Sequence, residues 1–339
     1  MGRLEGENQA MLKGLRTRST ADEGSRDVPV HDVPTGGGNL RVGEWGPDDP
    51  DGTATPTVIA VHGITASHRA WAVIARDLPQ ARLIAPDLRG RGRSAGLPGP
   101  FGMARHAADL EAMMDALELP SAILVGHSMG GFVAVVAAHL HPDRFSEVLL
   151  IDGGLPLALP AGIRREDLPE ATLGPAARRL SMTFPDRETY LEFWKQHPAF
   201  AADQRGDVTE GLADYADYDL TGTEPQLRPS ASLEAVRQDS MDLYGGGVVQ
   251  AALAGLSLGR LGRSQAFSLL TAPRGLLNET PGLYSPSDIE RWRAQLPAMR
   301  IREVPDVNHY TIVMGAAGAG AVAREVMRLV ERRDLGAGS

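Results

Sequence analysis

Between Thr57 and Asp152 the chain switches back and forth between two kinds of pattern, with short connections, and this rhythm leaves few architectures open. "TVIAVHG" (57–63), "ARLIAPD" (81–87), "AILVG" (122–126) and "EVLLID" (147–152) are short apolar runs that read as buried strands. Between them, Trp71, Ile74, Ala75 and Leu78 fall on one helical face, and so do Met103, Ala107, Leu110, Met114 and Leu117. Arg105, Asp109, Glu111 and Asp115 lie on other faces of the second helix. Alternating strands and helices make a parallel sheet covered on both sides. The expected fold class is therefore α/β, with a mostly parallel, doubly wound sheet. Such sheets bind ligands beyond the carboxyl ends of their strands, which places any chemistry just after Val61, Val125 and Ile151.

The rhythm has a prelude and an interruption. Residues 1–27 are polar and aperiodic and read as a mobile arm. "VPVHDVP" (28–34) and "NLRVGEW" (39–45) alternate like paired strands around Gly36, Gly37 and Gly38. After Gly153 the alternation stops. It resumes with strand "AFSLLTA" (266–272), helix "SPSDIERWRAQL" (285–296), strand "RIREVP" (300–305) and helix "GAVAREVMRLVERR" (320–333). Residues 28–152 and 266–335 thus read as one core, and 153–265 as an insertion into it. Within the insertion, "ADYADYDLTGTEP" (213–225) mixes acids with tyrosines and reads as a solvated loop.

Composition removes several kinds of chemistry. The 339 residues contain no cysteine, which excludes disulfides, thiolate nucleophiles and cysteine-bound zinc. A net charge of −9 argues against nucleic acid as a main partner. "MGRLEGENQAMLKGLRTRST" at the start has no apolar signal-peptide centre, and no stretch approaches a membrane span. A soluble cytoplasmic protein without a membrane partner is expected. No motif for a metal, flavin or nicotinamide stands out, so no cofactor is expected. "DLRGRGRS" (87–94) has the arginines and glycines of a phosphate loop but not its spacing.

One pentapeptide carries a specific chemical suggestion. Gly126-His127-Ser128-Met129-Gly130 follows a strand and opens a helix, the context in which G-x-S-x-G holds a serine exposed on a sharp turn. The pentapeptide alone also fits a glycine-rich turn with a capping serine. A nucleophilic serine needs a base. Of the nine histidines, His309 in "DVNHYT" (306–311) is best placed, in a loop after a strand and before the last helix. His127 adjoins the serine, but neighbours on a sharp turn are expected to point apart. His62 reads as a brace for its own loop. His68, His106, His139, His141 and His197 read as surface or packing residues.

"VHGITASHRAW" (61–71), "APDLRGRGRS" (85–94), "GHSMGG" (126–131) and "DVNHY" (306–310), in that order, resemble the α/β-hydrolase superfamily, in its branch with an "HG" oxyanion loop and a helical cap. The resemblance implies Ser128 as nucleophile and His309 as general base and then acid. It implies the backbone N–H groups of Ile64 and Met129 as oxyanion donors, and 153–265 as a cap over Ser128. The family's common acid position, after the penultimate strand, holds Ala272, Pro273, Arg274 and Gly275. Two acids stay open: Asp152, at the family's other acid position, and Glu279. Leu155, Leu157, Phe193 and Trp194 are candidate substrate contacts.

Relatives that open epoxides or displace halide use aspartate as nucleophile, so a serine implies acyl transfer. The expected activity is hydrolysis of a small-molecule carboxylic ester or lactone. Thioesterase, amidase, carbon–carbon hydrolase, perhydrolase and acyltransferase activity remain open, as does a ligand sensor of low turnover. Oligomeric state is left open.

Overall fold

Eight segments line up in one sheet in the order β1-β2-β4-β3-β5-β6-β9-β10. In chain order they are β1 (Val30–Thr35), β2 (Gly38–Trp45), β3 (Thr57–Val61), β4 (Arg82–Pro86), β5 (Ala122–His127), β6 (Phe145–Ile151), β9 (Ala266–Thr271) and β10 (Arg300–Glu303). From β4 to β10 every neighbouring pair is parallel, whereas β2 runs antiparallel to both β1 and β4. The computed structural model describes residues 28–47, 55–158, 178–201, 206–257 and 266–337, together with 162, 164 and 167. The arm expected over 1–27 lies outside the described residues.

β5 is buried along its whole length because both its faces are covered. Ala122 and Leu124 point into one apolar layer, shared with Leu110, Met113, Phe132 and Val133 of the helices α2 (Met103–Ala116) and α3 (Met129–Leu140). Ile123 and Val125 point into the other. There they meet Ile74 of α1 (Ala72–Arg76) and Val322, Val326 and Leu329 of the last helix, α11 (Ala316–Ala337). This period-two division explains why the strand is a continuous apolar run.

Two local readings change. The helix expected to carry Trp71, Ile74, Ala75 and Leu78 opens as a 3-10 turn, His68–Trp71, where Asp87 at the end of β4 draws it in. Its Oδ1 accepts from the His68 backbone at 2.9 Å and from His68 Nδ1 at 2.8 Å. In α2, Asp109 is buried and accepts two bonds of 2.8 Å from Arg89, so the polar face of that helix is not wholly solvated.

The insertion carries helices α4 (Arg187–Lys195), α5 (Pro198–Ala201), α6 (Gly206–Asp219), α7 (Leu233–Ser240) and α8 (Gly247–Ser257). Between α6 and α7 lies a short antiparallel pair, β7 (Leu220–Thr221) and β8 (Arg228–Pro229). The expectation of a solvated loop over 213–225 holds for the exposed turn 222–225 and is corrected before it. Leu212, Tyr215, Ala216 and Asp219 recur with helical spacing and are all buried. Their polar atoms are satisfied: the Tyr215 hydroxyl reaches the Thr65 carbonyl at 3.2 Å, and Asp219 pairs with Arg179. Tyrosine and aspartate hide an amphipathic pattern when their partners are distant in sequence. Two short helices complete the core, α9 (Pro286–Gln295) and α10 (Thr311–Met314). Among the described residues, no helix is long and apolar enough to cross a membrane.

Candidate active site

Ser128 stands between β5 and α3 with φ 54° and ψ −123°, a conformation that strains a residue with a side chain. Its surroundings impose it. The Ser128 N–H donates to Ile151 O at 2.9 Å, and its carbonyl accepts from Gly131 at 2.9 Å. Neighbouring backbone crowds the turn: a Cβ on Gly130 would lie 2.0 Å from the Val61 carbonyl oxygen, and one on Gly153 2.1 Å from that of Ser128. Glycine is needed at both for this close approach. Ser128 occupies the N-cap position of α3, yet its side chain makes no capping bond. The capping alternative is therefore not what the hydroxyl does.

His309 follows β10 in a loop framed by Asn308. The Asn308 Oδ1 accepts from the amides of Tyr310 and Thr311, each at 3.0 Å, and its Nδ2 donates to Ala199 O at 2.8 Å and to Asn278 Oδ1 at 3.1 Å. His309 Nδ1 lies 2.7 Å from Asp152 Oδ2. A carboxylate oxygen accepts, so Nδ1 donates in this pair and Nε2 is left free of it. Asp152 is fully buried at the end of β6, and its Oδ1 accepts from the Ala272 amide at 3.1 Å. Glu279 lies elsewhere. It is exposed, and its Oε2 accepts from the Leu277 amide at 2.7 Å within its own turn.

The loop after β3 lies over the serine: a Cβ on Gly63 would be 3.3 Å from Ser128 Cβ. His62 anchors that loop, donating from Nδ1 to Gly63 O at 2.8 Å and accepting the Leu88 amide on Nε2 at 2.9 Å. Burial pushes its pKa down to about 4, so it braces as a neutral ring. Met129 begins α3, so its N–H has no carbonyl one turn back to bond.

His127 departs from expectation. The elbow turns it and Ser128 onto the same cavity, and its ring centroid lies 4.7 Å from that of His309. Its Nε2 donates to the His309 carbonyl at 2.8 Å, tying the serine turn to a loop 182 residues away. Burial first, and His309 second, hold it well below the usual histidine range. No spacing signal in the sequence points to this contact.

Gly63, Ile64, Thr65, Ser128, His127 and His309 line one cavity, whose remaining wall is mostly apolar: Ala66, Ala70, Leu157, Leu243, Leu276, Leu283, Val313 and Met314, with Tyr215 and Tyr310. Of the four candidate contacts, Leu157 lies on this wall. Leu155 is buried behind it, hydrogen-bonded through its backbone to the Tyr284 hydroxyl. Trp194 is buried against Tyr190, Phe200, Tyr215 and Tyr310, and Phe193 packs on Phe184. None of those three lines the cavity: Leu155 is held by Tyr284, and the two rings of a short amphipathic helix bury against other aromatic rings first. Among the described residues, no Lys, Arg, Asp or Glu lines the cavity. Among the described residues, no group of three His, Asp or Glu side chains could hold a metal ion.

Known proteins agree with this architecture. A family model described as the alpha/beta hydrolase fold matches residues 56–200. Lipase LipV of Mycobacterium tuberculosis is 34% identical over 119 residues, 35% of this chain and 43% of the lipase. An epoxide hydrolase of Caballeronia sordidicola is 38% identical over 128 residues, 36% of each chain. Each alignment spans less than half the relative's length. The crystal structure of E-2-(acetamidomethylene)succinate hydrolase superposes with a TM-score of 0.69 at 19% identity, covering 90% of this chain and 100% of the other. Sheet order, serine turn and family match converge on the α/β-hydrolase fold.

Proposed function

We propose that the protein is a serine hydrolase that cleaves carboxylic esters or lactones through an acyl-enzyme, with Ser128, His309 and Asp152 as its triad and no cofactor. The observation that carries this reading is the 2.7 Å bond from His309 Nδ1 to buried Asp152, with His309 and Ser128 on one cavity wall. Ser128 Oγ attacks the substrate carbonyl while His309 Nε2 takes its proton. Asp152 holds the imidazole tautomer and stabilises the imidazolium. The amides of Ile64 and Met129 receive the oxyanion, and loss of one such donor costs about 10²–10³ in rate. His309 then protonates the leaving alcohol, and water repeats the sequence to release the acid.

The insertion serves as a cap, giving the cavity Leu157, Tyr215 and Leu243. An uncharged wall suits an uncharged acyl group, since a buried carboxylate without a partner is strongly disfavoured. A fluorophosphonate probe tests the nucleophile. The folded wild type should label stoichiometrically and Ser128→Ala should not; a folded, unlabelled wild type would overturn the reading.

A further inference from the structure

A fully buried arginine touches both residues assigned above to the oxyanion hole. Arg91 Nε donates to the Ile64 carbonyl at 2.9 Å, and Nη2 lies 3.8 Å from the Met129 sulfur. Its Nη1 donates to the Arg89 carbonyl at 2.9 Å and to the Asp239 carboxylate. Arg91 and Asp239 are both 0% exposed. Asp239 belongs to α7 of the insertion and is itself held in place. It accepts from the Gly102 amide at 2.6 Å and from His106 Nε2 at 3.0 Å. Burial opposes its ionisation, but Arg91 and His106 outweigh this and hold its pKa at about 2.

The neighbouring carbonyl is held in the same manner. Thr65 O accepts from Tyr215 at 3.2 Å and from Arg179 Nη2 at 3.5 Å, and Arg179 pairs with Asp219. Two consecutive carbonyls of the loop over Ser128 thus rest on side chains rooted in, or neutralised by, the insertion. A buried ion pair is a poor device for stability alone, since well-packed apolar residues often do as well. It is a good device for orientation. Fixing the Ile64 carbonyl from one side and Gly63 through His62 from the other leaves the intervening N–H one direction to point. Catalysis by such a donor depends steeply on its placement.

We propose that Arg91 is a positioning residue for the oxyanion loop, and that Asp239 makes its action depend on how the insertion is seated. The inference rests on the hydrolase reading for its catalytic consequence, though not for the ordering of the loop.

The molecule holds its own control. Arg89 and Asp109 form a similarly buried pair, with two bonds of 2.8 Å, but the other partners of the Arg89 guanidinium are the carbonyls of Pro98 and Gly36, neither of which lines the cavity. Arg91→Met, Arg91→Lys, Asp239→Asn and Arg89→Met are compared by circular dichroism, by kcat and KM on p-nitrophenyl butyrate, and by hydrogen–deuterium exchange over residues 62–66. Arg91→Met should lower kcat about 10- to 100-fold with KM within about threefold, and raise exchange in the loop. Arg91→Lys should recover part of the loss, Asp239→Asn should fall between, and Arg89→Met should keep kcat within about threefold. The proposal is overturned if folded Arg91→Met keeps its kcat, if Arg89→Met loses as much, or if loop exchange is unchanged. Should the wild type neither label with fluorophosphonate nor turn over esters, the hydrolase reading fails. Loop exchange then still decides the positioning role: raised in Arg91→Met supports it, unchanged overturns it.

Discussion

β6 and β9 are parallel neighbours that end side by side, and they treat His309 differently. The end of β6 places Asp152 in a positive-φ conformation (φ 42°), fully buried, with one oxygen on His309 and the other on the Ala272 amide. The end of β9 supplies that amide and no acid; its Arg274 reaches across to the Asp306 carbonyl at 2.7 Å. Glu279, a few residues on, folds back onto its own turn. Adjacent strand ends can thus exchange roles. One presents a carboxylate to the imidazole, and the other presents a donor that keeps the carboxylate aligned.

The largest expected effect comes from breaking the β6 side. Asp152→Asn should lower kcat by up to about 10⁴ while the protein stays folded, measured as steady-state hydrolysis beside a thermal melt. A loss under about tenfold would move the acid elsewhere.

A smaller effect should follow from releasing His309 on its other flank. His127→Phe removes the bond to the His309 carbonyl. It should lower kcat about tenfold with little change in KM, and His127→Gln, which keeps a donor, should restore part of it.

The comparison extends along β6, whose opposite end carries Glu147. Its Oε1 lies 3.3 Å from Arg332, its Oε2 has no partner, and burial pushes its pKa up to about 7. His62 and His197 are pushed down to about 4, and His127 well below its usual range. These histidines bind protons in the unfolded chain before the folded one, so stability should fall as pH drops from about 6.5 towards 4. Glu147 works the other way: the folded state holds its proton to higher pH, so its contribution declines as pH rises from about 4.5 to 7. The melting temperature should therefore fall by several degrees from pH 7 to pH 5, and fall further in Glu147→Gln. An equal fall in both proteins would remove Glu147 from the account.

The smallest effect is expected on the β9 side. Glu279→Gln should keep kcat within about twofold. A large loss there, with a small one in Asp152→Asn, would reverse the comparison.

Features written in adjacent residues were legible without coordinates. The strand–glycine–serine–helix run located the elbow, the end of "EVLLID" offered Asp152, and the loop before the last helix offered His309. Long-range partnerships were not legible. Arg91 and Asp239 lie 148 residues apart, and nothing in either neighbourhood names the other. His127 was expected to point away from the site, because an ordinary turn separates neighbouring side chains. The φ of 54° at Ser128 instead brings both to one cavity. Phe193 and Trp194 looked available for substrate because their ring partners, Phe184 and Tyr310 among them, come from outside their own helix.

The counter-charge on Arg91 bears on how readily this protein could be re-engineered by recombination. A chimera that exchanges residues 153–265 for the matching stretch of a distant homologue keeps the guanidinium and discards its carboxylate. Stranding that charge costs about 3–5 kcal/mol, a large part of the stability of a typical protein. Libraries built by such shuffling should therefore yield folded members chiefly where the incoming stretch brings an acid to the same spot, or where position 91 is made neutral at the same time.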